Sequence, residues 1–151
     1  MTPSRWPLPV SPELSARLTH EIEVSPAFFD IDPMEVVWHG HYVKFMEVAR
    51  SALMTRLGYN YAEMRDSGFA WPVVDMRLKY VRSAVLGQRL KVRARIVEWE
   101  NRLKVDFLIT DADTGQRLTT AYTIQVAVDI ASREMRYLCP EILWEKLGVL
   151  A

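Results

Sequence analysis

The sequence holds one cysteine, Cys139, in 151 residues. A lone thiol closes no internal disulfide, which fits a reducing cytoplasm, the expected compartment. No apolar run is long enough to span a bilayer, so membrane insertion is not expected. The opening MTPSRWPLPVSPELSARLTH lacks the continuous apolar stretch of a secretory signal. Neither sign of charge prevails: 19 Lys and Arg balance 19 Asp and Glu. No global field therefore draws the chain toward nucleic acid or an anionic membrane, and only a local basic patch could do so. Internal repeats and low-complexity tracts are absent too.

What is present is an ordinary globular balance, with half the residues hydrophobic and a quarter charged. A mass of 17.5 kDa suits one domain around one core. Pro3, Pro7, Pro9 and Pro12 suggest an extended arm over residues 1–17, with a single domain over 18–151. Ile22 and Val24 alternate with Glu21 and Glu23, a strand signal. The strongest helix runs from about His41 to Leu57, where Met46, Ala49, Leu53 and Leu57 recur at helical spacing. Gly58 is its natural stop. A shorter helix begins at Asn60, which has Glu63 at capping-box spacing.

From Trp71 onward the period becomes two. Val74, Met76, Leu78 and Tyr80 share one face; Leu90, Val92, Ala94 and Ile96 repeat the pattern. Leu103, Val105, Phe107 and Ile109 form a third run, and Leu118, Tyr122, Ile124, Val126 and Val128 a fourth. Strands with one apolar face and short links imply an antiparallel sheet covered on one side, with the long helix as the cover. The expected class is α+β, an antiparallel sheet wrapped around one central helix, the hot-dog arrangement. The tail CPEILWEKLGVL reads as a short final helix, Pro140 early and Gly148 late.

One stretch, FFDIDPMEVVWHGHYVKFMEVAR, carries chemistry. Two carboxylates, Asp30 and Asp32, and two imidazoles, His39 and His41, precede the long helix. Helix N-termini expose unpaired N–H groups and a partial positive charge. Such donors stabilise the oxyanion formed when a thioester carbonyl is attacked. A nearby carboxylate can activate water or attack the carbonyl itself. The pattern Asp30-Ile-Asp32, then Glu35, Trp38-His39-Gly-His41-Tyr42 and the F-M-E-V-A-R helix, resembles the signature of the 4-hydroxybenzoyl-CoA thioesterase family and the short bacterial acyl-CoA thioesterases. PVVDMRLKYVRSAVLGQRLKV is similar to the strand pair that follows there.

The resemblance implies an enzyme hydrolysing an acyl-CoA or acyl-carrier-protein thioester without metal or organic cofactor. It assigns Asp32 as the catalytic carboxylate, the backbone N–H at His39 to the oxyanion hole, and Tyr42 as the motif tyrosine at the helix start. Active sites of the family lie at a dimer interface, so a homodimer or homotetramer is implied. Three departures stand out: Glu35 replaces a glycine, His41 a residue that is often Asn, and Gly87-Gln88 a common aspartate. Glu35 implies either a different loop path or a second carboxylate at the site.

Plainer readings accompany each residue. Asp32 before Pro33 also suits a turn. Asp30 reads as bonding the loop backbone. His39-Gly40-His41 lacks a third metal ligand, so capping or substrate hydrogen bonding is the expected role of both imidazoles. Glu47 is assigned an ion pair with Arg50 or Arg56. Cys139 is a buried small residue with nothing beside it to activate it. Arg77, Lys79, Arg82, Arg93 and Arg95 form cationic strand faces, mostly solvated, with members available to coenzyme A phosphates. The rival functions are a non-catalytic acyl-binding module and a 3-hydroxyacyl thioester dehydratase, whose His-Phe-Pro-Gly-like loop is not found.

Overall fold

The computed structural model describes residues 10–150. Pro3, Pro7 and Pro9 lie outside them. Pro12, expected in an extended arm, instead begins a short helix, α1 (Pro12–Arg17), capped by the Ser11 side chain. Proline at the first helical position loses no needed N–H, and its fixed φ suits a helix.

The other elements are β1 (Thr19–Val24), a 3-10 turn (Phe28–Asp30), α2 (Tyr42–Leu57), α3 (Tyr61–Asp66), β2 (Phe69–Ala70), β3 (Val73–Tyr80), β4 (Leu90–Glu98), β5 (Leu103–Asp111), β6 (Arg117–Gln125), β7 (Val128–Asp129) and α4 (Glu141–Leu147). Five strands form one antiparallel sheet in the order β1-β4-β5-β6-β3, while β2 and β7 make a separate small pair.

The core is the contact between α2 and the inner face of that sheet. Tyr42, Phe45, Met46, Ala49, Leu53, Met54 and Leu57 are buried on the helix, against Leu90, Val92, Ala94, Leu103, Val105 and Phe107. Leu53 is fully enclosed; truncating such a leucine to alanine costs about 2–5 kcal/mol. Gly58 ends α2 in the left-handed conformation (φ 77°). The final helix α4 follows Pro140 and also ends on a left-handed glycine, Gly148.

Two sheet expectations need correction. The run from Leu118 to Val128 is not one strand, because β6 ends at Gln125 and Val128 pairs with β2. Nor do Tyr122 and Ile124 face the helix. Thr119, Ala121 and Thr123 stand opposite the buried Ile109, Phe107 and Val105, with a register shift near Leu118. A bulge there shifts the alternation by one, so hydrophobicity alone assigns the wrong face. Met76, Leu78 and Tyr80 do lie on the helix side, opposite Thr123, Ala121 and Thr119. However, β3 is the sheet's edge and α2 does not cover it, so Val73, Val74, Met76 and Tyr80 are exposed.

Candidate active site

The site is the connection from the 3-10 turn into α2. Asp32 begins a tight turn: its carbonyl accepts the Glu35 N–H (2.9 Å) and its own N–H donates to Val36 O (2.8 Å). Aspartate followed by proline suits the first two positions of such a turn. Glu35 follows with φ 66°, the left-handed position of a type I turn closed by a G1 bulge. Glycine is favoured there, so the glutamate keeps glycine's backbone path rather than opening a new one. Its side chain is exposed.

The two arms of this turn lie side by side. Ile31 bridges Val37, and the Trp38 N–H donates to Asp30 O at 2.9 Å. This pairing sets Asp32 opposite Val36, two residues further along the turn than the Asp30–Trp38 pair that leads into the helix. Asp32 Oδ1 accepts the Met34 N–H at 2.8 Å and the Val36 N–H at 3.5 Å. Oδ2 has no hydrogen-bond partner among the described residues, and the side chain is only half-buried.

Asp30 is different. It is 2% exposed; Oδ2 accepts the Ala27 N–H at 2.8 Å, and Oδ1 pairs with the Lys44 ammonium. His41 Nδ1 lies 3.0 Å from Oδ1, but outside hydrogen-bonding geometry. Burial alone pushes the Asp30 carboxyl upward. The Lys44 hydrogen bond, the Ala27 N–H and the charges of Lys44 and His41 outweigh it and hold the group below the usual aspartate value.

His39 and Gly40 occupy the entrance to α2. Trp38 O accepts the His41 N–H at 2.9 Å, and His39 O accepts the Tyr80 hydroxyl at 2.6 Å. A trans peptide points its N–H opposite its carbonyl. Both peptides are thus pinned through their oxygens, and the N–H groups of His39 and Gly40 have no partner among the described residues. A Cβ at Gly40 would overlap the exposed Trp38 ring, so a larger residue there would have to push that ring aside. The His39 side chain is exposed, and the His41 side chain makes no capping bond although it occupies the N-cap position.

Tyr42 is buried, and its hydroxyl accepts the Ala84 N–H at 3.0 Å. Val37 N–H donates back to Ala84 O at 2.8 Å. Tyr42 therefore ties the segment after β3 to the helix start, and its ring meets Tyr80 edge-on at 5.3 Å. Tyr80 escaped sequence reasoning, which counts it only as one more residue of a strand face. Burial and the neighbouring Tyr42 raise its phenol above the ordinary value. Lys44 was likewise missed, since only the fold turns it back toward Asp30.

Elsewhere, Glu47 pairs with Arg50 and accepts the Tyr61 hydroxyl at 3.1 Å. Burial pushes the Cys139 thiol up to about 12.

The model of the thioesterase-like superfamily matches residues 27–144, which includes this whole loop. The chain belongs to that superfamily. As a superfamily member it is a thioester hydrolase with the hot-dog fold. It is 30% identical to the provisionally named esterase sll0410 of Synechocystis sp., over 93% of this chain and 92% of that one. A second relative, the provisionally named acyl-CoA thioesterase YneP of Bacillus subtilis, is 32% identical over 51% of this chain and 56% of its own length. Among solved structures, the DHNA-CoA thioesterase of Staphylococcus aureus matches with TM-score 0.72 and 25% identity, over 79% of this chain and 80% of that chain. The 1,4-dihydroxy-2-naphthoyl-CoA thioesterase of Synechocystis shares the fold at TM-score 0.77 and 22% identity, over 87% and 97%.

Proposed function

We propose that this thioesterase hydrolyses acyl-CoA or acyl-carrier-protein thioesters to the free acid and the thiol, with Asp32 as general base or nucleophile. The observation that carries this reading is the half-buried Asp32, one oxygen fixed by Met34, in the same short loop as a helix entrance; among the described residues its other oxygen and the His39 and Gly40 N–H groups have no partner. In the water route, the free oxygen takes a proton from water as the hydroxyl oxygen bonds to the thioester carbon. The carbonyl oxygen becomes an oxyanion, which the His39 N–H, joined by Gly40, stabilises. Collapse breaks the carbon–sulfur bond, and the thiolate recovers a proton. In the nucleophilic route, the same oxygen attacks the carbonyl and a mixed anhydride is hydrolysed afterwards. Tyr42 and Tyr80 act as positioning residues.

The uncovered apolar edge of β3 favours a homodimer, since an exposed strand edge is a template for a second copy. A single free thiol, buried, suits the cytoplasm. Glu35 keeps the glycine backbone conformation, which removes the main reason for a non-catalytic binding module.

The test is thiol release from short, long and aromatic acyl-CoAs and from carrier-bound substrates, comparing the native protein with Asp32→Asn. Turnover by the native protein and its loss in the variant are expected. Full activity in Asp32→Asn would overturn the assignment, and no turnover on any substrate would overturn the function.

A further inference from the structure

Charges on the outer face of the sheet, turned away from α2, are unevenly neutralised. Toward β1 the cations have partners. Lys91 Nζ lies 3.9 Å from Glu21, Arg89 lies 3.3 Å from Glu23 and also meets Asp113, and Arg95 Nε donates to Thr19 Oγ1 at 3.1 Å. Across the rest of that face, from Arg93 on β4 to Arg77 and Lys79 on β3, the cations Arg77, Lys79, Arg93, Lys104 and Arg117 form no ion pair among the described residues. Glu21 stands opposite Arg93 in register, yet pairs with Lys91 instead. These five cations ring a shallow depression of about 490 Å³, in which Asp106 is the only acid among the described residues.

Strand register sets the layout. Lys79 lies opposite Thr120, Thr120 opposite Leu108, and Leu108 opposite Arg93. At a strand spacing of about 4.8 Å, the row spans about 14 Å. Its backbone N–H groups are committed to the sheet ladder, so binding rests on side chains alone. An open depression without backbone donors grips a single phosphate poorly. A broad row of unpaired cations in a chain of zero net charge matches a broad acidic surface. The Lys104 ammonium also lies 4.7 Å over the Tyr122 ring, which leaves that ring unsuited to stacking a nucleobase.

Lys79 directly precedes Tyr80, whose hydroxyl holds the His39 carbonyl. The two side chains leave opposite faces of β3, so the rim lies one residue along the strand from Tyr80 and is separated from the helix entrance only by the strand itself. We propose that this face docks the acidic surface of a carrier protein, whose flexible thioester-bearing arm then reaches the Asp32–His39 loop around the end of β3. The proposal rests on the thioesterase reading and selects the carrier-bound substrate within it.

The test compares the native enzyme with a variant carrying Arg77→Gln, Lys79→Gln and Lys104→Gln, on octanoyl-acyl carrier protein and on octanoyl-CoA. The KM for the carrier-bound substrate is expected to rise about tenfold in the variant, with both constants for octanoyl-CoA within about twofold. Equal losses on both substrates would place coenzyme A phosphates here and overturn the proposal, as would no loss on either. Calorimetric binding of unacylated holo-carrier to Asp32→Asn, with and without the three substitutions, needs no turnover. Binding that the substitutions abolish supports docking even if hydrolysis fails, an outcome that sinks only the catalytic reading. Hydrolysis of octanoyl-CoA without carrier binding sinks only the docking face.

Discussion

Asp30 and Asp32 stand two residues apart and have opposite surroundings. Asp30 is buried, bonded to the Ala27 N–H and paired with Lys44. Asp32 is half-buried, with one oxygen on the Met34 N–H. A carboxylate whose oxygens are already committed holds structure, while one with a free oxygen is available for chemistry. The same contrast recurs in the backbone, where peptides pinned through their carbonyls leave the His39 and Gly40 N–H groups without a partner among the described residues. Burial, not residue type, separates the two carboxylates.

The largest effect should come from Asp32→Asn. The amide oxygen can still accept the Met34 N–H, so stability should change by less than about 0.5 kcal/mol. Thiol release should fall about 100- to 10,000-fold. Steady-state kinetics beside urea unfolding checks both halves, and a fall in stability matching the fall in rate would erase the contrast with Asp30.

Asp30→Asn should do the reverse, costing about 2–3 kcal/mol by breaking the pair between this buried carboxylate and the exposed Lys44 ammonium. Its pH dependence follows from the lowered native pKa. Stability from the ionised group is fully present above the ordinary aspartate value near 3.9 and is lost as pH falls through the lower native value. Native protein should therefore weaken on acidification below about pH 4, and Asp30→Asn should lose that part of the slope. Urea midpoints at pH 3 and pH 6 provide the comparison.

Tyr80→Phe removes the hydroxyl that holds the His39 carbonyl. A decrease in kcat of about tenfold at unchanged KM is expected, smaller than the loss of a direct oxyanion donor. An unaffected kcat would mean that the peptide is held without Tyr80.

Glu35→Gly relieves a left-handed backbone that costs an L-residue about 1–2 kcal/mol, but adds about 0.5–1 kcal/mol of chain entropy. A net gain below about 1 kcal/mol should appear in thermal unfolding; destabilisation would show that the exposed side chain contributes more than the strain costs. Least of all should Cys139 respond. With its thiol pushed up to about 12, it should stay unmodified by iodoacetamide at pH 8, read by mass spectrometry.

Much of the fold was legible in the sequence because its signals are local. The 42–57 helix declared itself through Met46, Ala49, Leu53 and Leu57, and β4 and β5 through strict alternation. Reading failed where a local rule was overridden. The bulge near Leu118 reversed the apparent face of β6, and Pro12 began a helix rather than an extended arm. At the site, the motif pointed to Asp32, His39 and Tyr42 as candidates. It gave no sign of the contacts from Tyr80 and Ala84, which come from a strand and a link some 40 residues later in the chain.

The sequence alone determined the class of the protein, its helix and most of its strands, and the short segment that carries acid, imidazole and helix entrance together. Periodicity and residue spacing are properties of neighbouring residues, so they survive without coordinates. Only the tertiary structure decided which of two nearly adjacent carboxylates is free. It also decided that Glu35 takes a conformation that favours glycine and that five cations on the outer sheet face form no ion pair among the described residues. Burial and pairing depend on chain segments far apart in sequence.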